Sequence, residues 1–306
     1  MTSLIKVFLT LTFFQVSIVQ GQDLVKKKKY KDGITEEFFV LKENKVVRQG
    51  QSLTTYTYIL DNKYVLEFGQ YDKNLKTGKW LFFYYNNPSN FLKSVGNYKD
   101  DKKEGHWQYY FPASSSGPKL PTIFGSEKRT SISEPKKGVN EFQIQIDSSG
   151  QQLMSSGDYS NDKQVGVWEY FSYSGHLIHK FDYSSNELLQ NNLREPGNDF
   201  ITFLGGPERF HNLYATGQQE IEIKSPITKT SEVTYELAKS GEYKLIQGYG
   251  DDAFNNHVNL ILQTIPKDWI YLDSNSSKKI QIISKVVYTE NTFNRYKFSL
   301  DIKVIN

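Results

Sequence analysis

The chain has no cysteine among its 306 residues. That excludes a disulfide framework, a thiolate zinc site, a thiol nucleophile and a lipid anchor on cysteine. It also has little charge of one sign. Lys and Arg number 37 against 34 Asp and Glu, for a net charge of +3, so no strong field for nucleic acid is expected. Histidine is scarce, with only His106, His176, His179, His211 and His257. None stands in H-E-x-x-H spacing, and no metal or cofactor site is expected. There is no G-x-S-x-G nucleophile elbow either, and no catalytic set is expected. Beyond the N-terminus no apolar run is long enough to span a bilayer.

What is abundant is aromatic: 21 Tyr, 20 Phe and 4 Trp. Tyr and Phe favour strands, so the expected fold is mainly β. A length near 300 suggests roughly two domains of ~100–200 residues. The start, Lys6 followed by the mostly apolar Val7–Val19 and then Val19-Gln20-Gly21, has the form of a secretory signal peptide cleaved before Gln22. Residues 1–21 are therefore read as a signal and 22–33, with Lys26–Lys29, as a solvated basic tail. An exported chain, in the periplasm or at the outer membrane, is expected, with no stable span after cleavage.

Residues 34–190 repeat. Gly69-x-Tyr71 precedes Gly78-x-Trp80, Gly96-x-Tyr98 precedes Gly105-x-Trp107, and Gly157-x-Tyr159 precedes Gly166-x-Trp168. The internal spacing is identical in all three. Aromatics follow two and three places after each Trp. Between the glycines lie Asp72 and Asn74, Asp100 and Asp101, Asn161 and Asp162, which is turn composition. The second glycine supplies backbone that other residues reach at a cost. Each unit reads as a β-hairpin with apolar residues on both faces, buried only when units stack. A further hairpin is expected from Phe142–Ile146 to Gln151–Ser155. The stretch 112–138, with Pro112, Pro118, Pro121 and Pro135, reads as a loop insertion.

This G-x-Y…G-x-W pattern resembles the MORN-like (YwqK-type) repeats of exported bacterial proteins. The resemblance implies a hairpin array and, for most members, no enzymatic role. The aromatic face of such repeats also suggests an alternative, a glycan- or lipid-binding module. The repeat tryptophans themselves are expected in the core.

Residues 199–306 change period. Helices are expected over Glu208–Ala215 and from Asp251-Asp252 to Pro266, the second with apolar positions at Val258, Ile261, Leu262 and Ile265 near a 3.6 period. Strands are expected around Val233–Leu237, Glu242–Gln247, Lys279–Tyr288 and Tyr296–Ile305. The result is a small α+β domain. Gly248-x-Gly250-x-x-Ala253 matches a dinucleotide fingerprint, but it follows an antiparallel hairpin and carries Asp251-Asp252 where a pyrophosphate would sit. Paired acids such as Glu36-Glu37 read as solvated turns rather than a glycosidase pair.

The order Gly205-Gly206, Phe210, hairpin about Gly241, Gly248, helix, Pro266, Trp269 and closing strands resembles the C-terminal domain of TonB-type proteins. The chain lacks the proline-rich spacer of the energy transducers. The resemblance implies an interaction domain that binds an extended peptide of an envelope protein by strand addition. The expected edge is Lys279, Gln281, Ile283, Lys285 and Val287. The expected function is a non-enzymatic envelope scaffold.

Overall fold

The computed structural model describes residues 23–58, 62–84, 91–112, 130–133, 141–146, 151–193, 201–220, 230–238, 242–249, 252–272, 279–289 and 295–305. The expected signal peptide, most of the 112–138 insertion and the Gly241 turn lie outside these residues. No described helix is long and apolar enough to cross a membrane.

The first part of the chain forms β1 (Leu24–Lys31), β2 (Ile34–Leu41), β3 (Arg48–Tyr58), β4 (Asn62–Asp72), β5 (Leu75–Phe83), β6 (Leu92–Lys99) and β7 (Lys102–Tyr110). It continues through the short pair β8 (Thr130–Ser133) and β9 (Gln143–Ile146), then β10 (Leu153–Ser160), β11 (Lys163–Phe171), β12 (Leu177–Asp182) and β13 (Glu187–Asn191). All but β8 and β9 join one eleven-stranded antiparallel sheet in chain order, with β7 beside β10.

The repeat motif explains the hairpins. Asp72 faces Leu75 across a two-residue turn whose residues, Lys73 and Asn74, both have positive φ (49° and 75°). Asp100-Asp101 and Asn161-Asp162 do the same. Two successive positive φ angles are the type I′ turn that matches strand twist, and Asn and Asp tolerate that region best after glycine. The second glycine of each unit, at φ 60° to 66°, sits where the pairing slips, a bulge that sharpens the bend.

The first glycine has a different duty. A Cβ on Gly69, Gly96 or Gly157 would lie 2.1, 2.1 or 2.3 Å from the ring of Trp80, Trp107 or Trp168. Each indole therefore covers bare backbone, and its Nε1 donates to the carbonyl one residue later: Gln70 (3.2 Å), Asn97 (3.1 Å) and Asp158 (3.0 Å). The conserved-spacing Tyr meets it edge-on at 5.1 to 5.3 Å. The three Trp are at most 1% exposed. Leu81 and Phe83 point to the other face, where they join Phe39, Leu53, Val65, Phe68, Leu92 and Phe142.

Four expectations need correction. Glu36-Glu37 is not a solvated turn: both lie on β2, Glu37 is buried, and Glu36 accepts from both terminal nitrogens of Arg48. The basic tail is the edge strand β1, because its lysines meet the acids of β2: Lys28 faces Glu37, Lys29 faces Glu36, and Lys26 Nζ lies 3.3 Å from Glu37. Phe142–Ile146 does not form a hairpin with 151–155. Leu153–Ser160 carries the third Gly-x-Tyr and so pairs with β7 and β11, leaving β9 to pair with β8. The 112–138 insertion is accordingly not all loop: Thr130–Ser133 within it forms β8, which pairs with β9, and beyond it Phe142, Ile144 and Ile146 pack on the second face of the repeat sheet.

The remaining elements are β14 (Ile201–Phe203), α1 (Gly206–Glu220), β15 (Thr230–Leu237), β16 (Tyr243–Tyr249), α2 (Asp252–Thr264), β17 (Trp269–Tyr271), β18 (Lys279–Thr289) and β19 (Arg295–Ile305). They form an α+β unit with a β14–β17 pair and a four-stranded antiparallel sheet ordered β16-β15-β18-β19. Helix α1 starts two residues before the expected Glu208 and runs five past Ala215. The expected stripe of α2 is buried: Val258, Ile261, Leu262 and Ile265 meet Val233, Tyr235, Leu237, Phe210 and Trp269 in one core.

The two glycines of a unit should respond differently to alanine. Gly96→Ala forces a methyl into the Trp107 ring, and overpacking of this kind costs ~3 kcal/mol or more. At Gly105, where nothing lies within 4 Å of an added Cβ, the cost is backbone only, ~1–2 kcal/mol. Urea denaturation of both variants should rank Gly96→Ala well below Gly105→Ala.

Candidate interaction site

A column of cations runs along the Trp face, one per hairpin. The Arg48 guanidinium lies 4.5 Å from the Phe38 ring and 5.0 Å from Tyr71. Lys76 Nζ sits 4.1 Å from Trp80, 5.2 Å from Phe82 and 5.4 Å from Tyr98. Lys103 Nζ is 4.7, 5.4 and 4.9 Å from Trp107, Tyr109 and Tyr159 and donates to Tyr109 Oη at 2.9 Å. Burial holds Lys103 below the usual lysine range and pushes Tyr98 up to about 12.

The turns hold these cations in place. Asn74 Oδ1 accepts from the amide of Arg48 (2.7 Å), Asp101 Oδ1 from Lys76 (2.6 Å) and Asp162 Oδ1 from Lys103 (2.7 Å). The turn amides of Asn74, Asp101 and Asp162 donate back to the same three residues at 3.0 to 3.1 Å. Each hairpin is thus pinned to the one before it.

In the third unit the corresponding position is Gln164, and the cation comes from elsewhere. Arg209, on α1, places its guanidinium 4.9 Å from Tyr170 and 5.1 Å from Phe203. It pairs with Asp268 at 2.6 Å and donates to the Leu204 carbonyl at 2.7 Å. Tyr170 and Tyr183 share a 2.7 Å bond, and Tyr183 donates to Asp268 at 3.1 Å. Arg209 is 5% and Asp268 7% exposed. Burial works against the guanidinium charge, but Asp268 outweighs it and Arg209 stays above its usual range. Leu204 and Ile270 complete the seal over Trp168, Tyr170 and Phe181. The last aromatic cage of the repeats is therefore closed by the α+β unit. Arg209 and Asp268 do not stand out in the sequence, where the available signal is the break of the Lys pattern at Gln164; His179 enters there only as a candidate metal ligand.

The polar side chains elsewhere are committed locally. Ser172, Ser174 and His176 line a cleft of about 750 Å³ beside Pro207 and Glu208. Ser174 Oγ bonds His176 Nδ1 at 2.9 Å and Ser172 Oγ at 2.8 Å, while the His176 amide donates to Ser172 Oγ at 3.1 Å. This relay closes the 172–176 turn. Among the described residues no group of three or more His, Asp or Glu could hold a metal.

Of the twelve repeat positions, the first glycines, the tyrosines and the tryptophans are brought together in packing on one face, whereas Gly78, Gly105 and Gly166 serve the bend at positive φ and Gly105 is exposed. The expected peptide-binding edge is corrected. Lys279, Gln281, Ile283 and Lys285 lie where β18 pairs with β15 on one side and β19 on the other, so they offer no edge; Val287 lies beyond the β15 pairing and pairs with Lys297 of β19. The edges of that sheet are β16 and β19. On β16, Ile246 is an extra residue between Leu245, opposite Tyr235, and Gln247, opposite Thr234. Such a bulge blunts an edge. β19 faces β18 through eleven successive pairs, Lys279–Ile305 to Thr289–Arg295, without a slip.

Replacing Arg209 by Met should leave the Asp268 carboxylate buried without its counterion and cost ~3–5 kcal/mol, whereas Arg209→Met with Asp268→Leu should recover more than half of that. Urea denaturation of the two single variants and the double variant measures the coupling. No known protein family, curated protein or solved structure matches the chain, so its functional reading rests on this geometry.

Proposed function

We propose that the protein is a non-enzymatic scaffold of the cell envelope that binds an extended segment of another envelope protein by strand addition to β19. The observation that carries this reading is the eleven-residue, unbulged edge: β19 pairs with β18 throughout, and no described strand lies on its other side. An edge of that length, about 35 Å at ~3.3 Å per residue, is a template on which an extended segment can add as a further strand. The likeness of residues 199–306 to TonB-type C-terminal domains supports the same mode, and the signal-like start supports an exported location. The alternative, a glycan- or lipid-binding repeat face, loses its best platform, since Trp80, Trp107 and Trp168 are covered.

A photo-crosslinking residue placed in turn at Lys297, Ser299, Asp301 and Lys303, with Lys244 on β16 as control, tests the proposal in envelope extract. The expected result is one partner segment, captured from several β19 positions and shifting by about two residues as the probe moves by two. Capture from Lys244 alone, or none from β19, overturns it.

A further inference from the structure

Beside the Arg209–Asp268 pair, one buried imidazole also joins the repeat sheet to the α+β unit. His179, on β12, is 0% exposed. Its Nδ1 accepts the amide of Gly205 at 3.0 Å. A backbone amide only donates, so Nδ1 carries no proton and Nε2 does. Nε2 donates to Asn191 Oδ1 at 3.0 Å, with Thr202 Oγ1 at 3.4 Å. One neutral ring thereby ties β13, β14 and the start of α1 to the end of the repeat sheet. A second proton has one place to go, Nδ1, where it would point at the hydrogen of the Gly205 amide.

The charges around the ring do not welcome that proton. Tyr170 lies opposite His179 on β11. Arg209 on α1 contributes a positive charge, answered by Asp268, which is already bonded to Arg209 and Tyr183. Lys180 and Glu169, on the neighbouring positions of β12 and β11, pair with each other at 2.7 Å. Burial first, and Arg209 second, hold the imidazole down to about 4, against an upward pull from Asn191.

The bond to Gly205 sits at a sensitive place. Gly205 and Gly206 have φ of 83° and 70°, and they turn the chain from Leu204 into α1. Leu204 is 0% exposed and packs on the Trp168, Tyr170 and Phe181 cluster. We propose that His179 is an acid-released latch: protonation at Nδ1 breaks the Gly205 bond and loosens the Gly205-Gly206 turn into α1. Leu204 stays held over the aromatic end of the repeat sheet by its amide on the Asp268 carbonyl (2.9 Å) and by Arg209 on its own carbonyl (2.7 Å). The direction follows from linkage. The closed-state imidazole titrates below its free value of 6.5, so the latch has its full strength above pH 6.5. It weakens as pH falls from 6.5 towards 4, and below that this group takes nothing more. Over that window one proton is taken up on opening, so the opening constant rises about tenfold per pH unit. The device concerns the junction and stands apart from strand addition at β19.

Hydrogen exchange at the Gly205 amide of the full chain reads the latch directly, after correction for the intrinsic pH dependence of exchange. Protection should be flat above about pH 7 and fall about tenfold per unit from 6.5 to 4. His179→Gln keeps an acceptor for Gly205 and a donor for Asn191 but does not titrate, so its profile should be flat. A fall that persists in His179→Gln and vanishes in Asp268→Asn assigns the response to the carboxylate and overturns the proposal. Nitrogen chemical shifts of His179 in the unaltered protein give a second check that needs no variant. An Nε2–H tautomer that titrates well below pH 6 is expected, and a ring that titrates near 6.5 overturns the latch.

Discussion

An indole resting on a residue that has no side chain is the contact from which the repeat sheet is built. With a ring carbon about 2 Å from where a Cβ would be, only glycine fits beneath each tryptophan, and only a tryptophan both covers that gap and reaches the next carbonyl with its Nε1. Each buried indole removes on the order of 200 Å² from water, several kcal/mol at ~25 cal/mol per Å². The type I′ turn and the bulge glycine bring the two strands of a unit to the angle at which this contact closes. Take the contact away and the aromatic faces of successive hairpins have nothing to register on.

The cation column follows from the same stacking. Each hairpin brings a Tyr edge-on to its Trp, leaving a slot between rings of adjacent units. A long aliphatic stem with a cationic head fills it, packing its methylenes and placing its charge over π faces. Arg48, Lys76 and Lys103 do so from within the sheet. Where Gln164 cannot, Arg209 arrives from α1 with its own counterion. A buried ion pair is a poor source of net stability but a strong constraint on geometry. Here it sets which end of the repeat sheet the α+β unit caps.

This arrangement separates two roles. The repeats spend their aromatics on themselves and on docking the α+β unit. Among the described strands the sheet edges are β1, lined with lysines, and β13 on the large sheet, and β16 and β19 on the small one. Edge strands of natural proteins are short, charged or bulged when they are to stay unpaired. β1 carries five lysines in eight residues and β16 is bulged, whereas β19 is longer, unbulged and less densely charged, with Arg295, Lys297, Asp301 and Lys303 in eleven residues. The proposed strand addition to β19 rests on that difference.

The amino-acid sequence by itself determined the repeat: its internal spacing, its turns and the burial of all three tryptophans. These rest on requirements local to a unit, positive φ at the turn and aromatics on both faces of a strand, whereas the seat of each indole on the first glycine of its unit is visible only in the folded structure. The sequence also determined the helix stripe of α2, because periodicity reports burial directly. Tertiary structure alone decided strand order. Lys279–Ile282 alternates as a half-buried strand does, and alternation is the same whether one or two neighbours are present, so the interior place of β18 between β15 and β19 was not written in it. Most lysines of β1 are exposed, as expected; that they form a strand was decided by the pairing with β2. The junction of His179, Arg209 and Asp268 joins residues up to 89 positions apart, and no local pattern marks groups whose partners exist only once the chain has folded back on itself.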